Sequence, residues 1–116
     1  MAFPPFFSNL DQAITWAVEK WDVDIISISW GINEESNPIR EAIIKARQNN
    51  IIILASASNE GSNRPITFPA NIGYPIVFCI GAADATGTRS NFSPPAKRME
   101  KFSAIGEAVI NGRHFR

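Results

Sequence analysis

The sequence has a single cysteine, a single histidine and a single tyrosine in 116 residues. With only Cys79, no internal disulfide can form. Cys79 sits in the apolar run Ile76–Ile80, where it reads as a small buried hydrophobe. No histidine or helix terminus lies close by in sequence to activate its thiol. No charge of one sign dominates: Lys plus Arg number 11 and Asp plus Glu number 11, with a pI near 6.6. A neutral chain without like-charge blocks gives no electrostatic reason to expect a nucleic acid or an anionic membrane as partner. No apolar stretch approaches the roughly 20 residues that a membrane-spanning helix needs. The opening Met1–Phe7 is apolar but short, lacks a basic residue and contains Pro4 and Pro5, so it does not read as a signal peptide. Internal repeats and low-complexity tracts are missing too. There is no Gly-x-Gly-x-x-Gly after any candidate strand, which argues against a Rossmann-type nucleotide binder. No metal site and no cofactor are expected.

What remains is an ordinary globular composition, 45% hydrophobic and 19% charged. Helical spacing is clear from about Ser8 to Trp21, with Leu10, Ile14, Ala17, Val18 and Trp21 on one face. Ser8 is the expected N-cap, and Asp11 suits the helix dipole in the first turn. The β-branched run Val23–Ser29, closed by Gly31, predicts a buried strand. A second helix is predicted from Asn37–Pro38, with Asn37 as cap, Pro38 at the first helical position and Asn49–Asn50 as terminator. Its apolar face is Ile39, Ala42, Ile43 and Ala46. Ile51–Ala55 is too short for a helix and too apolar for a half-exposed strand, so it reads as a central strand buried on both faces.

Strand, helix and strand with tight connections predict a parallel βαβ unit. A third strand is predicted over Ile76–Gly81, after a polar loop from Ser56 to Pro75. Beyond Asp84 the pattern weakens. Asn91–Pro95 reads as a turn, Lys97–Lys101 as a solvated charged loop and Glu107–Ile110 as a short last strand. A long loop in a compact domain is usually functional. In open α/β sheets, ligands bind beyond the carboxyl ends of the strands. Trp30–Gly31 and Ser58–Asn59 both fall at such ends.

The order of segments resembles the subtilisin-like serine peptidase family from about Asp11 to Ile110. Its cues are Ala13–Val18 followed by Val23–Gly31, then Ile51–Gly61 with its Ser58-Asn59-Glu60-Gly61 loop. Thr67-Phe68-Pro69-Ala70 with Gly73-Tyr74-Pro75 and the strand to Ala82 comes next, then Asn91-Phe92-Ser93. Each is weak alone, but together they keep the family's order and spacing. The resemblance implies a three-layer α/β/α fold with a mostly parallel sheet, of which residues 1–116 are the partial, central portion.

The resemblance also assigns roles. Asn59 matches the family's oxyanion-hole asparagine, whose side-chain amide stabilises the oxyanion formed in acyl transfer. Ser29, Trp30 and Gly31 match one wall of the substrate cleft; Ala57 and Ser58 match the other. The Phe68–Pro69 bond is expected to be cis. Taken as residues alone, Asn59 equally fits a loop cap, Gly31 a strand terminator and Trp30 a core aromatic. Ser58 stands where the family usually has glycine, and a side chain there narrows the pocket or shifts the loop.

The family's triad motifs have no match. No aspartate is followed by Thr-Gly or Ser-Gly, and the single histidine, His114, is followed by Phe115–Arg116 rather than Gly-Thr. The nearest string to the nucleophile motif is Gly87-Thr88-Arg89, with arginine where the serine belongs. A serine nucleophile needs an adjacent base. The sequence therefore reads as a serine endopeptidase segment truncated at both ends, inactive by itself, with peptide or protein as partner. The alternative is a non-catalytic α/β peptide-binding or interaction module.

Overall fold

The computed structural model describes residues 9–58, 65–94 and 100–115. The first helix, α1, covers Leu10–Glu19 and buries Ile14 and Ala17. Ser8, the expected cap, lies outside the described residues. Asn9 takes the N-cap position in an extended conformation without a side-chain hydrogen bond. The helix ends before Asp22, whose φ of 49° turns the chain toward β1, Ile25–Ile28.

The second helix, α2, covers Asn37–Gln48. Its cap is Ser36 rather than Asn37. Ser36 is extended, and its hydroxyl accepts from the Ile39 N–H at 3.4 Å, so Asn37 becomes the first helical residue. Pro38 sits in the first turn, where its missing donor costs nothing. At the other end the Asn49 side-chain amide donates to Lys45 O at 2.8 Å, and Asn50 takes the left-handed φ of 63°. The Ile51 N–H then donates to Ala46 O at 3.1 Å, so the chain passes directly into β2, Ile52–Ser56. The exposed pair Lys45–Glu19, at 2.9 Å, links α2 to α1.

The strand β3 covers Phe78–Ala83 and begins later than Ile76. Both Ile76 and Val77 donate their N–H groups to Gly73 O, at 3.1 and 3.0 Å, which holds them in a turn and out of the ladder. A fourth strand, β4 (Glu100–Ile105), pairs parallel with β3. Its first residues, Glu100 and Lys101, belong to the stretch expected to be a charged loop. Strand pairing uses backbone groups that every residue but proline carries, and an edge strand tolerates charge. The short strand expected near Glu107 is β5, Ala108–Ile110; it forms a hairpin with β6, Arg113–Phe115. Asn111 and Gly112, at φ 50° and 75°, make the turn, which is the backbone a two-residue hairpin loop requires.

The sheet order is β1-β2-β3-β4, all parallel. Helices α1 and α2 pack together on the face that carries Ile28, Ile53, Ala55 and Cys79, forming one core with Phe68 and Val77. Cys79 is fully buried there. The opposite face presents Ile25, Ile52 and Phe102, which are 55%, 41% and 52% exposed, so β1 and β2 are buried on one face only and not on both as expected, because among the described residues no helix packs on that side. The architecture is the expected α/β one. Among the described residues it comprises the sheet and one helical layer.

Candidate cleft at the carboxyl ends of the sheet

The register sets Ile28 beside Ala55 and Ser56 beside Ile80, so β1, β2 and β3 end side by side. A cavity of about 300 Å³ opens at these ends. Ser29, Ala57 and Ser58 line it, together with Ser27, Ser56 and Gly106. Trp30 is half-buried and packs against the core beside α1, where a neighbouring groove of about 280 Å³ runs along β1. Gly31 is exposed and is not among the residues that line the cavity. Asn59 and Gly61 lie outside the described residues.

Two walls define the cleft. The first continues from Gly31 into Ile32, which pairs with Phe68: Ile32 N–H to Phe68 O is 2.9 Å and Phe68 N–H to Ile32 O is 3.0 Å. The second is Ala57–Ser58. The Ala57 N–H donates to Ile80 O at 2.9 Å, extending the β2–β3 ladder by one step. Thr67 touches both walls. Its N–H reaches Ala57 O at 3.4 Å, and its side chain takes the space that a Cβ on Gly31 would need. The Thr67-Phe68-Pro69-Ala70 string is visible in sequence, but the contacts of Thr67 are not, because they join residues remote along the chain. Phe68 and Pro69 beneath it are fully buried, and their peptide bond is cis, as the resemblance implies; Tyr74–Pro75 is cis as well.

Ser58 has φ of 126°, far from the narrow left-handed well near +60° that non-glycine residues tolerate. Such strain costs on the order of 1–3 kcal/mol and is retained where surrounding structure demands it. Glycine there relieves the strain but adds about 0.5–1 kcal/mol of unfolded-chain entropy. Ser58→Gly is therefore expected to stabilise the chain by about 1 kcal/mol. A urea midpoint lower than that of the parent chain would contradict this account.

The far end of β3 is held by a compact turn. Asp84 Oδ1 accepts from Thr86 Oγ1 at 2.6 Å, Thr86 N at 2.9 Å and Thr88 N at 3.0 Å. These donors, the Thr86 hydroxyl first, hold the Asp84 carboxyl below its ordinary value. Stability from this group is present above the unfolded value and is lost as pH falls through the folded one, below about pH 4. A melting-temperature series from about pH 6 to about pH 2 should show a smaller acid-dependent fall for Asp84→Asn than for the parent. Parallel curves would exclude Asp84 as a contributor. Next to this turn, the buried Ser93 hydroxyl accepts from Ala82 N–H at 3.1 Å, and Arg89 donates to Ser93 O. The Asn91–Ser93 turn is thereby fastened to β3 at the cleft.

A family model described as the subtilase family matches residues 7–113. The chain belongs to the subtilase family. The subtilisin-like protease het-Q2 of Podospora anserina is 38% identical over 111 residues, covering 89% of this chain and 29% of that protein. Among solved structures, the PatG macrocyclase in complex with peptide superposes with a TM-score of 0.73 at 26% identity, over 91% of this chain and 34% of that one. The psychrophilic subtilisin-like protease Apa1 of Pseudoalteromonas sp. AS-11 shares the fold, with a TM-score of 0.75 at 24% identity over 92% of this chain and 27% of that one. The chain spans 15% to 34% of the lengths of the first curated subtilases it matches.

Proposed function

We propose that residues 1–116 are the central portion of a serine endopeptidase domain and form its substrate cleft. Ser29–Gly31 and Ala57–Ser58 flank an extended peptide, and Asn59 supplies the oxyanion donor. The observation that carries this reading is the pair of walls at the carboxyl ends of adjacent parallel strands, joined across Thr67. Open backbone beside such a cleft suits main-chain pairing with a peptide. The peptide bound to the PatG macrocyclase, a structural neighbour, is consistent with a peptide as ligand.

Cleavage needs a nucleophile, a base and a group to orient that base. None of the motifs that carry them in subtilases occurs in the 116 residues. The cleft therefore binds and orients, and the covalent step requires residues from outside this sequence. An oxyanion donor acts on charge that develops in the transition state, so Asn59 contributes to catalysis more than to ground-state binding.

Two measurements test the proposal. The purified chain should release no product from a chromogenic peptide; hydrolysis above background would overturn the claim of inactivity. An extended blocked peptide should bind saturably, followed by tryptophan fluorescence, and Asn59→Ala should leave that binding nearly unchanged. Absence of binding by the folded chain would remove the cleft reading.

A further inference from the structure

Asn111 is the only one of the ten asparagines in the chain that glycine follows. The pair forms the exposed two-residue turn between β5 and β6, at φ 50° and 75°. Two features leave this turn chemically open. A Cβ built on Gly112 would meet nothing within 4 Å, so no packed neighbour restrains the peptide there. The hairpin is also slight: β5 and β6 have three residues each and pair only with one another among the described residues. An isolated two-stranded hairpin is marginally stable, and such elements open locally at low cost. Other asparagines are placed differently. Asn37 precedes Pro38, which has no N–H, and the Asn49 amide is held by Lys45 O at 2.8 Å. Asn50 and Asn71 precede isoleucines, whose branched side chains crowd the nitrogen that follows.

We propose that Asn111 is a site of spontaneous covalent modification, deamidating through a succinimide and so opening the β5–β6 hairpin as the protein ages. In the first step the Gly112 nitrogen gives up its proton to hydroxide and attacks Asn111 Cγ. The new N–Cγ bond closes a five-membered ring. The Cγ–Nδ2 bond breaks, and the side-chain nitrogen takes a proton from water and leaves as ammonia. Water then adds to one of the two ring carbonyls and breaks its bond to the ring nitrogen. One opening leaves an aspartyl residue, the other an isoaspartyl residue whose chain runs through Cβ. Either product adds one negative charge to a chain whose formal net charge is zero. The isoaspartyl form also lengthens the backbone of the loop by one atom, and loop length fixes hairpin register. The Ile110–Arg113 pairing beside the turn is then lost. This chemistry does not depend on what the cleft binds.

The test incubates the full chain in mildly alkaline buffer, with samples taken over time and digested with trypsin. Asn111 falls in the peptide Phe102–Arg113, which contains no other asparagine. That peptide should convert to aspartyl and isoaspartyl forms, the latter accepted by an isoaspartyl methyltransferase, at a rate that rises with pH. The other asparagines should change at least about 10-fold more slowly, which is about 1.4 kcal/mol in barrier. An intact Phe102–Arg113 peptide, or conversion no faster than elsewhere, overturns the inference. Gly112→Ala, compared with the parent in concentrated urea so that turn strain plays no part, should slow conversion about 10-fold or more. An equal rate overturns the ring-closure route. The isoaspartyl fraction, separated by ion exchange, should exchange its amide hydrogens faster over residues 108–115 than the unmodified chain, with β2 unchanged. Equal protection over 108–115 overturns the opening of the hairpin.

Discussion

Phe68→Ala is expected to cost about 3–5 kcal/mol of unfolding free energy. The side chain is 1% exposed, among the largest fully buried groups in the core. Its backbone makes both hydrogen bonds of the bridge to Ile32, and the Arg40 guanidinium stands 5.9 Å from its ring centroid. Truncation removes the transfer energy of the ring and leaves a cavity between α2 and the cleft wall. Domains of this size are stable by only about 5–15 kcal/mol, so the variant should be close to unfolding in dilute denaturant. The site should suffer with the fold, since Thr67 and Gly31 rest on the same backbone bridge. Phe68→Leu retains most of the apolar volume and should lose much less. Urea denaturation followed by circular dichroism decides the matter. A Phe68→Ala midpoint indistinguishable from the parent's would show that the residue is not part of the core.

Ile43→Ala is expected to cost about 2–5 kcal/mol, and Ile43→Val about 0.5–1.5 kcal/mol. Ile43 is fully buried on the face of α2 that also carries Ile39, Ala42 and Ala46, in the same core cluster as Ile53 and Ala55 of β2. Its neighbour Ile44 is 36% exposed and lies outside this buried face. Ile44→Ala should therefore stay within about 0.5 kcal/mol. Consecutive isoleucines with opposite outcomes give a test that composition alone cannot pass. Equal losses at the two positions would mean that the helix face is wrongly assigned. The effect also reaches the cleft, because α2 supports β2, and β2 carries Ala57 and Ser58 at its end.

Helix α2 shows how much of the fold is legible in sequence. Its apolar positions at Ile39, Ala42, Ile43 and Ala46 are the positions the fold buries, because 3.6-residue periodicity is a local property. The cap lies one residue earlier than the sequence suggests, at Ser36 rather than Asn37. Two adjacent capping types compete, and the backbone conformation at Ser36 decides between them. The hairpin of β5 and β6 was only half visible, although Asn111–Gly112 is a recognised turn pair. Its flanking strands are short, and β5 stood out only as an apolar run. Strand β4 is hidden in the sequence for another reason. Glu100 and Lys101 carry no strand pattern, and only the ladder to β3 makes them part of one.

By itself the sequence determined the βαβ core, the two helix faces and the burial of Cys79. It also determined that the triad motifs of subtilases do not occur among these residues. All of these follow from local spacing, caps and residue identity. The tertiary structure alone decided the fourth strand, the open sheet face of Ile25, Ile52 and Phe102, the φ of Ser58 and the contact of Thr67 with Gly31. These depend on which backbone groups meet across long stretches of chain. Backbone hydrogen bonds are available to nearly every residue type, so no side-chain pattern announces where they form.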